Sequence, residues 1–363
     1  MSESSAAKEV IFHVGLPKTG TSALQVFLAK NAPALKKKSI DYLELSDIGL
    51  GKRGQISSGN GAHLARSLYA PGHPMSIGDP DKQRQQFFDA LKRSDCDRAI
   101  VSSELFADAD RDQLRELVEK VRVSGYATKV IFYVRPQVQH LNSAYMQQVK
   151  RHGCTESPDE FISRTYKDSK HMKLFSFFSD MQSIFGDESV TCRLYDPKQV
   201  GIVGDFLTAT RIDSDELELE ISDTNTSLPP KQLGIMLLLN QFKPLMRFSD
   251  LVVENAVLTG SASAGMHHSL ISPELEDEIE AHFAEGNSLL AQHYFGRDQL
   301  FPAQQRVPKA SISIDALTKE DLVTFFGGLL VRNYTSLAYQ EDRLSRLEKR
   351  LNELERNTPS GPA

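Results

Sequence analysis

The residues of this chain best suited to chemistry lie in one short stretch, Ile11-Phe-His-Val-Gly-Leu-Pro-Lys-Thr-Gly-Thr-Ser22. An apolar run breaks at Gly15, Pro17 and Gly20 and then gives way to a helix-forming pattern. Where a strand opens into a helix in this way, the first helical amides have no intrahelical partners and converge at the positive end of the helix dipole. Such a turn binds an anion, and phosphate is the anion that suits it. Gly15 and Gly20 permit positive φ and close approach, Lys18 supplies a point charge, and the hydroxyls of Thr19, Thr21 and Ser22 add donors.

The spacing of Gly15 and Gly20 is that of the Walker A loop, GxxxxGK[ST], yet Thr21 stands where a nucleotide triphosphatase has its lysine. Such an enzyme also holds Mg²⁺ through an Asp after an apolar strand. Here the run 99–101 leads into Ser102-Ser103-Glu104 and the run 132–134 into Arg135, while Asp196 follows a strand interrupted by Cys192 and Arg193. ATP hydrolysis is therefore disfavoured. A P-loop small-molecule kinase stands as a second reading, and a catalytically silent nucleotide-binding scaffold as a third. Arg135, at a strand end, offers a planar fork suited to phosphate oxygens, and the hydroxyl of Ser143 on the following helix can donate to the same group. Taken alone, the two also read as a structural ion pair and an ordinary helix-surface serine.

Together these segments resemble the PAPS-dependent sulfotransferases. The 5′-phosphosulfate loop of that family reads Pro-Lys-[Ser/Thr]-Gly-Thr-[Thr/Ser], and Pro17-Lys-Thr-Gly-Thr-Ser22 matches it position by position. The family's 3′-phosphate pair is an Arg ending a later strand and a Ser eight residues on, as Arg135 and Ser143 are here. Tyr195-Asp-Pro, Gly204-Asp-Phe-Leu207 and Asn225-Thr-Ser-Leu-Pro229 look more loosely like bacterial members that modify carbohydrates. The resemblance implies PAPS as co-substrate with no obligatory metal, and Lys18 beside the bridging oxygen. It implies a sulfuryl group passing to a hydroxyl, less readily an amine, of a carbohydrate or glycolipid. The Arg-Lys-Gly segment that closes over the cofactor in cytosolic members has no clear counterpart. Residues 224–231 could fill that role, with Lys231 a phosphate contact or simply part of a proline-stopped loop.

Sulfuryl transfer needs an in-line nucleophile, a base for its proton and a cation for the leaving phosphate. Glu104 is the first candidate base; some carbohydrate sulfotransferases carry a glutamate after this strand, and a helix N-terminal carboxylate is its alternative role. His63, after a glycine-rich stretch, is the second candidate. His13, inside the first strand, reads as a buried, hydrogen-bonded structural residue. The pair His267-His268 shows no metal-ligand spacing, and no metal site is expected.

The elements that must position these groups alternate strand-like and helical patterns, which predicts an α/β fold. The expected architecture is a P-loop three-layer fold with a central parallel sheet flanked by helices, helical inserts and a C-terminal amphipathic helix. The strand candidates are residues 10–14, 98–102, 129–134 and 189–194, with 40–45 at an edge; helices are expected over 22–31 and 198–207. Strand ends bring Lys18, Glu104 and Arg135 toward one crevice. The stretch 49–61, with five glycines, reads as a mobile surface loop. Further helices are expected from about 231 to 242, ahead of Pro244, and over 272–295, opened by Ser272-Pro273-Glu274. The organisation expected is a sulfotransferase-like domain over 1–335 with helical inserts around 49–95 and 213–300, a heptad helix over 336–356 and a disordered tail over 357–363.

With 363 residues, 42 Lys+Arg against 48 Asp+Glu and 40% hydrophobic residues, the chain is neither disordered, collagen-like nor a small disulfide scaffold. No apolar run approaches the roughly 20 residues of a membrane span, and the polar, acidic start lacks an export signal. Three well-separated cysteines, Cys96, Cys154 and Cys192, point to a reducing, cytoplasmic setting. A net charge of −6 argues against general nucleic-acid binding, so the expected partner is a small-molecule or carbohydrate acceptor. Leu337, Leu344, Leu347, Leu351 and Leu354 fall on a and d positions of a heptad. They predict either a helix laid on its own domain or one that assembles a homo-oligomer.

Overall fold

The structure, a computed structural model, describes residues 8–45, 49–53, 58–195, 201–219, 228–242, 248–258, 269–302, 312 and 317–357. In chain order the elements begin β1 (Glu9–Val14), α1 (Thr21–Lys30), α2 (Ala32–Lys37), β2 (Ile40–Tyr42), α3 (Gly49–Lys52), α4 (Ala62–Arg66), α5 (Pro80–Arg93) and β3 (Arg98–Ser103). A 3₁₀ turn, Glu104–Asp108, leads to α6 (Arg111–Val123), β4 (Ala127–Val134), α7 (Gln137–His152), α8 (Pro158–Thr165), α9 (Leu174–Phe185) and β5 (Val190–Leu194). The remainder is helical: α10 (Gly201–Thr210), α11 (Pro230–Asn240), α12 (Phe248–Leu258), α13 (Pro273–Phe295) and α14 (Lys319–Asn357).

The chain divides into two compact units. The first comprises Met1–Ala144, Pro158–Asn225 and Ile271–Arg306 and contains the sheet, whose five strands run in the order β2-β3-β1-β4-β5 with every pairing parallel. The β-branched and aromatic runs predicted as strands form it because both faces of a parallel sheet are covered, so every residue of a central strand can be apolar. On one face Val10, Phe12 and Val14 of β1 pack with Val101, Phe132 and residues of α5, α6, α9 and α13. On the other, Ile11, Ile100, Ile131 and Tyr133 pack against Leu24, Phe27 and Leu28 of α1 and Phe206 of α10. This is the expected three-layer α/β arrangement, with β2 at the edge. Phe12 is fully buried, its ring meeting Phe106 and Phe185 edge-on and Phe87 at a tilt. Truncating such a side chain costs about 3–5 kcal/mol.

One expectation is corrected within this unit. The glycine-rich stretch is no mobile loop over residues 58–61: Asn60 is fully buried, and its amide donates to the carbonyls of Leu43 and Ile100, both at 2.9 Å, while accepting from the Ser102 amide at 2.8 Å. Its glycines serve close contact with β3, since a Cβ on Gly59 would stand 2.1 Å from the Ser102 carbonyl oxygen. Residues 49–52 form the turn of α3, and 54–57 lie outside the described residues. Ser272 is the N-cap of α13 and Pro273 opens its first turn, as expected, but the Ser272 side chain makes no capping bond; its hydroxyl and amide both donate to the Asp159 carboxylate, at 2.6 and 2.8 Å.

The second unit comprises Tyr145–Ser157, Thr226–Leu270 and Val307–Ala363. In it Asn240, at the end of α11, donates to the carbonyls of Val149 and Cys154, and Asn255 of α12 donates to the Phe325 carbonyl of α14. Helix α14 starts at Lys319, well before the first leucine of the predicted heptad. No described helix is long and apolar enough to cross a membrane.

Candidate functional site

Strand β1 lies at the point where the strand order reverses, with β3 on one side and β4 on the other. In parallel α/β sheets the crevice beyond the carboxyl ends at such a point is where ligands sit. Val14 pairs with Ser103 and Val134 with Leu194, so the residues that follow these four strands emerge side by side: the loop from Gly15, Glu104, Arg135 and Tyr195.

The loop between β1 and α1 has two left-handed residues, Lys18 at φ 66° and Gly20 at φ 80°. Gly15 is not one of them. It is glycine for space, since a Cβ there would stand 2.5 Å from the Thr21 hydroxyl oxygen. Positive φ at Lys18, a residue with a Cβ, carries strain of the kind that clusters at functional sites. The Thr19 hydroxyl donates to the Leu16 carbonyl at 2.7 Å and so closes the loop. Gly20 is the N-cap of α1, with no side-chain hydrogen bond, and the first turn carries no acid, so the helix itself supplies no anion to its positive end. The Thr21 hydroxyl is buried without a partner.

Arg135 reaches this loop directly. Its Nη1 donates to the Lys18 carbonyl at 2.6 Å, its Nη2 to Gln139 Oε1 at 3.2 Å, and its Nε is buried with no partner. The guanidinium stands 5.4 Å from the ring centre of Tyr195, and that same ring would meet a Cβ on Gly20 at 2.8 Å. Burial holds Arg135 below the ordinary guanidinium range. Ser143 is half-buried on α7, and its neighbour Asn142 is buried with an unpartnered Oδ1.

Glu104 opens the 3₁₀ turn after β3, half-buried. Burial raises its carboxyl above the ordinary range, against the charge of Lys18, which pulls it down. Pro17 and Ser22 are half-buried on the loop and on α1. His63, the other candidate base, is exposed on α4. His13 is fully buried, with Nδ1 2.8 Å from the Ser102 hydroxyl, and burial lowers it to about 3. It is the structural histidine expected.

Three groups were not singled out by sequence reasoning. His140, on α7, is 6% exposed and held neutral, well below the ordinary imidazole range, by burial and then by the charges of Arg135, His171 and Lys18. His171 Nε2 lies 3.0 Å from the carboxylate of Asp108, the last residue of the turn that Glu104 opens, and that contact holds Asp108 below its ordinary range. Only the cluster of polar side chains in Gln137-Val-Gln-His-Leu-Asn-Ser143 could have signalled His140; nothing local to His171 signals its Asp108 partner. Lys231 belongs to the second unit, where it pairs with Asp321 at 2.7 Å. Asp196, residues 224–227, His267 and His268 lie outside the described residues. Among the described residues no group of three or more His, Cys, Asp or Glu could hold a metal.

No family model matches the chain, and no curated protein does. A solved structure is similar. The crystal structure of a sulfotransferase from Alicyclobacillus acidocaldarius shares 17% identity over 81% of this chain and 98% of that one, at a TM-score of 0.43. The chemistry open to this site lies in the residues gathered beyond the strand ends. They combine an uncapped helix N-terminus, two cations, orphaned buried donors and a carboxylate made more basic by burial, all at one end of one sheet.

Proposed function

We propose that this protein is a sulfotransferase that binds PAPS at the β1–α1 loop and transfers its sulfuryl group to a hydroxyl, or an amine, of a carbohydrate or glycolipid. The observation that carries the reading is the bond from the Arg135 guanidinium to the Lys18 carbonyl, which joins the two sequence motifs at one point. The donor set suits a nucleotide with phosphates at both ribose ends. The amides after Gly15, with Lys18, Thr21 and Ser22, would hold the 5′-phosphosulfate; Arg135 and Ser143 would hold the 3′-phosphate. The orphaned Arg135 Nε and Thr21 hydroxyl are donors that such a ligand satisfies.

Bound PAPS supplies a sulfuryl group on a good leaving phosphate. Glu104 would take the acceptor's proton as the acceptor oxygen bonds to sulfur and the bond from sulfur to the bridging phosphate oxygen breaks, and Lys18 would neutralise the charge left on that oxygen. A carboxylate raised by burial is a stronger base than an exposed one, which suits it to a hydroxyl proton. His171, held by Asp108, places an imidazole–carboxylate pair close enough for its charge to act on Glu104.

Calorimetric titration with PAP, the desulfated product, tests the reading. Binding that Arg135→Ala weakens at least tenfold, with no need of Mg²⁺, is the expected result. Tight Mg²⁺-dependent ATP binding without PAP binding would replace it with the kinase reading. The rate profile provides a second check: kcat/KM should rise with pH through an apparent pKa above the ordinary carboxylate range, because the base works only when deprotonated.

A further inference from the structure

We propose that α14 is an assembly helix that forms a parallel two-stranded coiled coil with the same helix of a second copy. The inference is independent of the proposed reaction. At 1.5 Å per residue, the 39 residues of α14 span about 58 Å. One face of its first turns is fastened to α12: Phe325 and Leu329 are buried, Asn255 donates to the Phe325 carbonyl, and Arg332 pairs with Glu254. A different face is open. Leu330, Leu337, Leu344 and Leu347 are 72, 58, 58 and 54% exposed, and Val323 and Phe326 precede them in the same register.

Val323, Leu330, Leu337 and Leu344 stand seven apart at a positions, with Phe326 and Leu347 at d; the sequence continues the pattern at positions 351 and 354. The seam therefore starts two heptads before Leu337, where the predicted heptad began, which takes it past the length at which a coiled coil is marginal. Asn333 and Gln340 occupy the two intervening d positions, where an amide is best satisfied by its own counterpart across an in-register pair.

The charges beside the seam identify the occupant. Glu341 and Glu348 are at e, and Arg343 and Arg350 are at g. In a parallel pair, a g residue faces the e residue five positions on in the other helix. Arg343 then meets Glu348 of the partner subunit, and the sequence repeats the match between positions 350 and 355. In an antiparallel pair g faces g and e faces e, which sets arginine against arginine and glutamate against glutamate. The sequence is complementary to itself in one orientation only.

Light scattering on the full chain tests this, with twice the monomer mass expected. Leu337→Asp with Leu344→Asp should return the monomer mass with the thermal unfolding of the sheet unit unchanged. Arg343→Glu alone should weaken dimerisation roughly ten- to thirty-fold, from two symmetric pairs turned repulsive, and adding Glu348→Arg should restore it. A monomeric wild type, a trimer or tetramer, or a mass unaffected by the double aspartate variant overturns the proposal. A dimer indifferent to Arg343→Glu overturns the parallel arrangement.

Discussion

Two glycine-bearing stretches meet the sheet of the first unit, and they use glycine for opposite ends. Around Gly59 and Gly61 the backbone lies against β3 with its polar groups engaged: the Gly61 amide donates to the Ser102 carbonyl at 3.1 Å, and Asn60 ties three more backbone groups together. Between Gly15 and Gly20 the helix end is uncapped, a buried hydroxyl has no partner, and two cations stand close with no acid in the helix's first turn. Glycine content is common to both; a helix end with no side-chain cap and an unpartnered hydroxyl next to it belong to the loop between Gly15 and Gly20, while the orphaned donor beside the other stretch, the Gln25 side-chain amide near Gly59, comes from α1. That contrast separates a loop built for packing from one built for a ligand.

The contrast predicts that substitutions near the first loop change ligand binding or rate, and substitutions in the second change folding. The largest effect belongs to Glu104→Gln, which should lower kcat about 10²–10⁴-fold in a sulfation assay with PAP affinity little changed. The same variant should raise Tm. Burial raises the folded pKa of Glu104, so stability falls as pH climbs from the unfolded to the folded value, and neutral glutamine removes that loss at pH 7. A lower Tm would show that its carboxylate is structural. Next comes Gly59→Ala, at φ 83° and with a Cβ 2.1 Å from Ser102 O, which should cost about 3 kcal/mol or more in urea unfolding; tolerance would restore the picture of a mobile loop.

Lys18→Ala keeps a Cβ at positive φ, so Tm should hold while PAP binding weakens roughly ten- to a hundred-fold by calorimetry. Comparable losses of stability and affinity would erase the distinction between the two loops. Ser143→Ala is the smallest, with about a three- to tenfold loss of PAP affinity, the value of one hydrogen bond. No loss at all would remove Ser143 from the site and leave Arg135 as the only anchor of its motif.

The central strands were legible because a strand buried on both faces declares itself in a few adjacent β-branched and aromatic residues, as in Val130 to Val134. The loop was legible for a similar reason: its information is local. What escaped the sequence is long-range. That Asn60 would be buried depends on β3, forty residues away, and the pairing of His171 with Asp108 joins elements with no sequence relation. Positive φ at Lys18 rather than Gly15 was hidden because residue type ranks glycine first, while the Thr21 hydroxyl, six positions on, determines what Gly15 is for. The a/d pattern of α14 was read only from Leu337 onward, since Val323, Phe326 and Leu330 share their turns with Phe325 and Leu329, whose apolar side chains serve the buried face instead.

The bond between Arg135 and the Lys18 carbonyl also fixes a direction. Carbonyl 18 and amide 19 belong to one trans peptide plane and point opposite ways. A guanidinium that grips the oxygen therefore orients the Thr19 N–H, while it neutralises a dipole end that would repel phosphate. The bearing of that amide is thus set from a neighbouring strand before any anion arrives, and deuterium uptake at Thr19 in the free protein should quicken when the guanidinium is removed.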